Sequence, residues 1–166
     1  MLSLDTLRKV HIFAGLEEAE LEPLNSYLQQ IQVEKGDYVL QENSVGDCIF
    51  ILVKGTVRVC KELVKGIGED MADTQKVLAT LDGSMLPTFG ENGILGQAPR
   101  TANVIAATDC VLYTLAKRDF DSYARQHIQA AYQVMKNIAE VLSQRLNTTD
   151  ENLVKLATAL YIAVQN

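Results

Sequence analysis

The sequence predicts an α+β fold: an antiparallel β-roll (a double-stranded β-helix or jelly roll) with short N-terminal helices ahead of it and a long C-terminal helix behind. Three observations lead there. Between Ile31 and about Leu115, apolar β-branched runs alternate with glycine turns at Lys35-Gly36-Asp37, Val45-Gly46-Asp47 and Lys54-Gly55-Thr56, the pattern of short strands in a barrel or roll. Upstream, Leu4, Leu7 and Val10, then Leu21, Leu24, Leu28 and Ile31, follow a helical period. After Asp119 the strand pattern stops and a helical period returns.

The elements divide as residues 1–30, 31–116 and 117–166. The first segment reads as two short helices parted by the turn Ala14-Gly15. The second is the roll. Within it KGIGEDMADTQ, residues 65–75, holds two glycines and three acids and is expected to be an exposed hairpin loop. The third opens with a helix capped near Lys117 to Asp119 and continues, from Gln129 to Val164, without proline or glycine. Ile138, Leu142, Leu146, Thr149, Leu153, Leu156 and Leu160 recur there at steps of four and three, close to a heptad seam. A continuous helix over that span would extend about 50 Å at ~1.5 Å per residue, too long to pack wholly on a small domain. A homodimer through this helix is the simplest partner. A break at Asn147-Thr148-Thr149-Asp150, folding two helices back on the roll, stays open as the alternative.

Composition narrows the function. With 166 residues and 48% hydrophobic content the chain can bury a core without disulfides or metal. Its net charge of −6 opposes an extended phosphate-binding surface, so DNA binding by this chain alone is not expected. No run approaches the roughly 20 apolar residues of a membrane span, and MLSLDTLRKVHIF lacks a secretory pattern. A cytoplasmic location follows. Cys48, Cys60 and Cys110 are widely spaced in apolar stretches and read as reduced, buried strand residues. His11 and His127 lie outside the strands, too few and too peripheral for a metal centre. Neither an enzyme nor a resident cofactor is expected.

The remaining unusual stretch is FGENGILGQAPRTANV, from Phe89 to Val104. Phe89-Gly90-Glu91, followed after eight residues by Arg100 in Pro99-Arg100-Thr101-Ala102, resembles the phosphate-binding cassette of cyclic nucleotide-binding domains, in the branch related to the bacterial catabolite activator protein (Crp/Fnr-like). Roughly residues 8–146 share the resemblance, including IFAGLEEAELEPL, the glycine-paced strands and ATDCVLYTLAKRDF. Two departures stand out: Ser84 to Thr88 lengthen the loop before Phe89, and Asn92-Gly93-Ile94 replaces the family's usual Leu-Ala-Leu.

The chemistry fits a cyclic nucleotide as ligand. A planar guanidinium such as Arg100 can meet a cyclic phosphate with two charge-assisted hydrogen bonds. Backbone amides after Gly90, at the start of a short helix through Asn92, Gly93 and Ile94, would add donors, with Gly93 permitting close approach. Glu91 is a poor neighbour for phosphate but a good acceptor for a ribose 2′-hydroxyl, its role in the family. The bland alternative is a Glu91–Arg100 ion pair across the turn, with ~0 to 1 kcal/mol of stabilisation. Thr101 could donate to the phosphate or to a base edge. The resemblance implies tolerance of guanine there, with cyclic AMP expected ahead of cyclic GMP. Thr148 and Thr149, polar residues on an apolar seam, are expected to face the base or to set helix register.

The expected function is therefore a cyclic nucleotide sensor signalling through its C-terminal helix. The alternatives are a dimerisation scaffold that binds no nucleotide, or the sensory part of a Crp/Fnr-type regulator lacking its DNA-binding domain. No motif names the downstream partner.

Overall fold

A computed structural model of the chain describes residues 1–62, 75–96 and 99–165. Helix α1 (Leu4–Lys9) is capped by Ser3, whose hydroxyl accepts from the amide of Thr6 at 3.1 Å. A 3₁₀ turn, His11–Phe13, leads to α2 (Glu18–Ser26), which starts in a capping box between Glu17 and Glu20. Strands β1 (Gln29–Val33), β2 (Tyr38–Leu40), β3 (Cys48–Lys54), β4 (Thr56–Glu62), β5 (Gln75–Asp82) and β6 (Thr88–Phe89) follow. A single helical turn, α3 (Asn92–Leu95), separates them from β7 (Asn103–Ala106) and β8 (Cys110–Ala116). Helices α4 (Lys117–Gln126) and α5 (Ile128–Gln165) complete the chain.

The strands form two antiparallel four-stranded sheets, ordered β1-β8-β3-β6 and β2-β7-β4-β5. The apolar run of β3 shows how the roll is filled. Successive side chains point to opposite faces, so Ile49 and Ile51 pack under the helices with Leu115 and Tyr113. Phe50 and Leu52 meet Val57, Phe89, Val104 and Leu112 between the sheets. Cys60 and Cys110 are buried and Cys48 partly so.

The helices at both ends share one core. Leu7, Ile12, Phe13 and Leu21 pack with Phe120, Tyr123, Val134 and Ile138. Tyr123 is fully buried, donates its hydroxyl to the carbonyl of Glu20 at 3.0 Å and stacks on His127; burial pushes its phenol up to about 12. Asn137, also buried, donates from Nδ2 to the carbonyls of Ile12 at 3.1 Å and Ala14 at 2.8 Å. These bonds pin α5 to the 3₁₀ turn.

The expected continuous C-terminal helix is present and its alternative, a break, is not, while the expected cap of α4 changes. The C-terminal segment is one helix of 38 residues, with no break at residues 147–150. The Thr148 and Thr149 hydroxyls bond back to the carbonyls of Gln144 and Arg145, which lets them sit inside a helix without capping one. Helix α4 does begin at Lys117, but Ala116 stands in the cap position without a side-chain hydrogen bond. Residues 65–74 of the expected hairpin loop lie outside the described residues.

Candidate functional site

Strand β6 delivers the chain to Gly90, whose φ of +80° few side-chain-bearing residues adopt. A Cβ there would lie 2.8 Å from Nη1 of Arg100, so the missing side chain makes room for the guanidinium. Arg100, only 3% exposed, donates from Nη1 to the carbonyl of Gly90 at 2.7 Å and from Nη2 to that of Cys48 at 2.8 Å. Burial pushes the Cys48 thiol upward, against the lowering influence of the nearby Arg100 charge. Glu91, 4% exposed, faces Arg145 of α5, with Oε1 at 2.9 Å from Nη1. That contact is an ion pair off the angle of a hydrogen bond, so Glu91 Oε1 lacks an aligned donor. Arg145 also donates from Nη2 to the carbonyl of Thr88 at 2.6 Å.

These residues surround a cavity of about 370 Å³, within the size range of small-ligand sites. Phe89, Gly90, Glu91, Asn92, Arg100, Thr101 and Ala102 line the cassette side. Leu40, Val59, Ala79, Leu81 and Val104 form an apolar wall from the strands, and Leu142 and Arg145 close it from α5. Two of the lining residues, Arg100 and Glu91, each hold a buried polar atom, Nε and Oε1, with no hydrogen-bond partner among the described residues. One is a cationic donor and the other an anionic acceptor.

Several expected site residues are placed differently. Gly93 makes room for β3 and not for an anion: a Cβ would lie 2.4 Å from the Cys48 carbonyl oxygen. The amides of Gly93, Ile94 and Leu95 already donate to Gly90 and Glu91 within the turn, leaving those of Glu91 and Asn92 as donors not consumed by it. The Ile94 side chain belongs to the core. The ion pair between Glu91 and Arg100 is not formed, because Arg145 takes the carboxylate. Thr148 and Thr149 do not line the cassette cavity; they are exposed along an adjoining groove between β5 and α5, shared with Val77, Leu153 and Leu156. The helix residues at the cavity are Leu142 and Arg145, one turn earlier. Sequence reasoning missed Arg145, although an arginine three residues after a seam leucine would have been the signal.

The cyclic nucleotide-binding domain family matches residues 30–127. The chain belongs to that family. As a cyclic nucleotide-binding domain it is 26% identical, over 152 residues, to the CRP-like cAMP-activated global transcriptional regulator of Mycobacterium tuberculosis, covering 92% of this chain and 62% of that regulator. It is 26% identical over 158 residues to human cGMP-dependent protein kinase 2, covering 95% of this chain and 19% of the kinase. The domain therefore spans less than two thirds of the length of these relatives. The crystal structure of the Thermus thermophilus catabolite activator protein superposes with a TM-score of 0.73 at 25% identity, covering 88% of this chain and 62% of that one. Among the described residues no helix is long and apolar enough to cross a membrane.

Proposed function

We propose that this domain is a regulatory sensor, not an enzyme, that binds a cyclic nucleotide in the cassette cavity, cyclic AMP ahead of cyclic GMP. The observation that carries the reading is that Arg100 and Glu91, both on the lining of one cavity, each keep a buried polar atom, Nε and Oε1, without a hydrogen-bond partner, Oε1 having only its ion contact with Arg145. Buried polar groups ordinarily have partners, and a cyclic phosphate with a ribose hydroxyl supplies an anionic acceptor for the first and a donor for the second. The amides of Glu91 and Asn92 and the hydroxyl of Thr101 would assist at the phosphate. The apolar wall of Leu40, Val59, Leu81 and Leu142 suits adenine better than guanine, whose extra polar edge groups would need partners there.

Binding then competes with contacts within the chain. The Arg100 guanidinium rests on two carbonyls, and Glu91 is held by Arg145. A ribose hydroxyl on Glu91 redistributes the Arg145 pair, and Arg145 stands on α5, so occupancy shifts the balance of α5 arrangements by its differential affinity for them. In this reading the roll, 31–116, captures the ligand, segment 1–30 braces it, and 117–166 transmits through a homodimer formed along α5. A second reading, an interaction scaffold that binds no nucleotide, is favoured by the exposed Leu146, Leu153, Leu156 and Leu160.

Isothermal titration of nucleotide-stripped protein with cyclic AMP and then cyclic GMP separates the two. The sensor reading expects micromolar or tighter affinity with cyclic AMP preferred. It also expects Arg100→Ala to weaken binding roughly 100-fold or more, the loss of two charge-assisted hydrogen bonds. No heat with either nucleotide, with an unchanged melting temperature, would leave the scaffold.

A further inference from the structure

We infer that Phe50, which does not line the cavity, is a positioning residue for the anion site: its ring helps to hold the Arg100 guanidinium in place beside the cavity. This rests on the proposed role of Arg100 in binding. Phe50 and Phe89 are direct partners across β3 and β6, and their rings are stacked, with centroids 5.4 Å apart and planes within 6°. Phe89 lines the cavity, whereas Phe50 lies behind it. Arg100 Cζ sits over the Phe50 ring, 5.9 Å from its centroid. The absent Gly90 side chain opens this arrangement, since a Cβ there would meet Arg100 Nη1 at 2.8 Å and the Phe50 ring at 3.3 Å.

The division of labour follows from the shape of a guanidinium. Its N–H groups lie in the plane and take carbonyls, here those of Gly90 and Cys48. Besides those bonds, the Gly46 backbone lies close to the guanidinium, where a Cβ would come within 3.1 Å of Cζ, and the Phe50 ring adds a contact that no N–H makes. A cation is attracted to an aromatic face by the ring quadrupole, most strongly where water is excluded, and both Phe50 and Arg100 are buried. The same ring fills the core and stacks on Phe89, so the test has to part its quadrupole from its volume. Because Phe50 also stacks on Phe89, the cavity wall and the guanidinium share one support.

Site-specific replacement of Phe50 by mono-, tri- and pentafluorophenylalanine in the full chain weakens the quadrupole while nearly keeping the ring's shape, and Phe50→Leu removes it. Two readouts are taken. In the nucleotide-free protein the Arg100 Nε–H resonance carries a ring-current shift that Phe50→Leu abolishes and fluorination alters in steps. In cyclic AMP titrations the affinity falls stepwise along the fluorinated series, by about 2- to 10-fold in all, with the melting temperature tracked in each variant to separate general loosening. An Arg100 resonance indifferent to Phe50→Leu, or an affinity that is flat or rises along the series, overturns the proposal. Should the native protein bind neither cyclic nucleotide, the sensor reading falls, and the resonance readout still decides whether Phe50 holds Arg100.

Discussion

The two halves of α5 differ more than their sequences do. Both are apolar at a helical period, yet Ala130, Ala131, Val134, Asn137 and Ile138 in the first half are buried against the N-terminal segment and the roll, while in the second half Leu146, Leu153, Leu156 and Leu160 are between 60% and 64% exposed. A helical period produces a helix with an apolar stripe, and burial depends on what the rest of the chain sets against that stripe. The first half meets the 3₁₀ turn His11–Phe13 and is fixed by the Asn137 bonds. The second half runs along an open groove beside β5, and its leucines stay exposed. Arg145 stands between them, the last helix residue tied to the cassette. One half is anchored within the domain, and the other offers a surface to a partner, in the proposed reading a second copy.

The largest expected effect comes from breaking the exposed half. Leu153→Glu combined with Leu160→Glu, two residues seven apart on the stripe, should weaken self-association roughly 100-fold or more, as carboxylates replace side chains whose burial contributes about 1.5–3 kcal/mol each. Sedimentation velocity measures it; an unchanged dimer would place the interface elsewhere, and a monomeric native protein would remove the proposed homodimer. Next comes the anchored half. Asn137→Ala leaves the carbonyls of Ile12 and Ala14 without their donor and should destabilise the fold by about 1–3 kcal/mol, read as a lower midpoint in urea. An unchanged midpoint would mean that packing alone anchors α5.

The smallest effect on stability sharpens the boundary itself. Arg145→Ala should cost about 1–2 kcal/mol, since the half-exposed arginine is screened by solvent but the side chain of its partner Glu91 is only 5% exposed and would lose its counter-charge. Amide exchange should nonetheless rise in the part of α5 after Leu142 and stay level before Ile138. Equal exchange on both sides would detach Arg145 from the division.

Much of this was legible because it is local. The glycine-paced runs of the roll, the helical periods at both ends and the cassette residues Phe89, Gly90, Glu91 and Arg100 lie in contiguous stretches where period or turn chemistry speaks for itself. Gly90, with a φ of +80°, meets a backbone requirement. Gly93 was read as room for an anion, whereas the room is taken by β3. A glycine announces a close approach without naming what approaches. Thr148 and Thr149 were placed by their polarity on an apolar seam, yet which turn of a helix faces a cavity depends on where the roll ends, and that put Leu142 and Arg145 there.

By itself, then, the sequence determined the order and kind of elements, the continuous apolar stripe of α5 and the cassette's donors and acceptors, since each depends on residues within a few positions of one another. Only the tertiary structure decided that Arg100 rests on the Cys48 carbonyl beside the Phe50 ring, that Glu91 faces Arg145, and that α5 buries one face in its first half alone. Those contacts join residues fifty or more positions apart, 52 for Cys48 and Arg100 and 125 for Ile12 and Asn137. A bond across such a span forms only when sheet register and helix placement bring its two ends together.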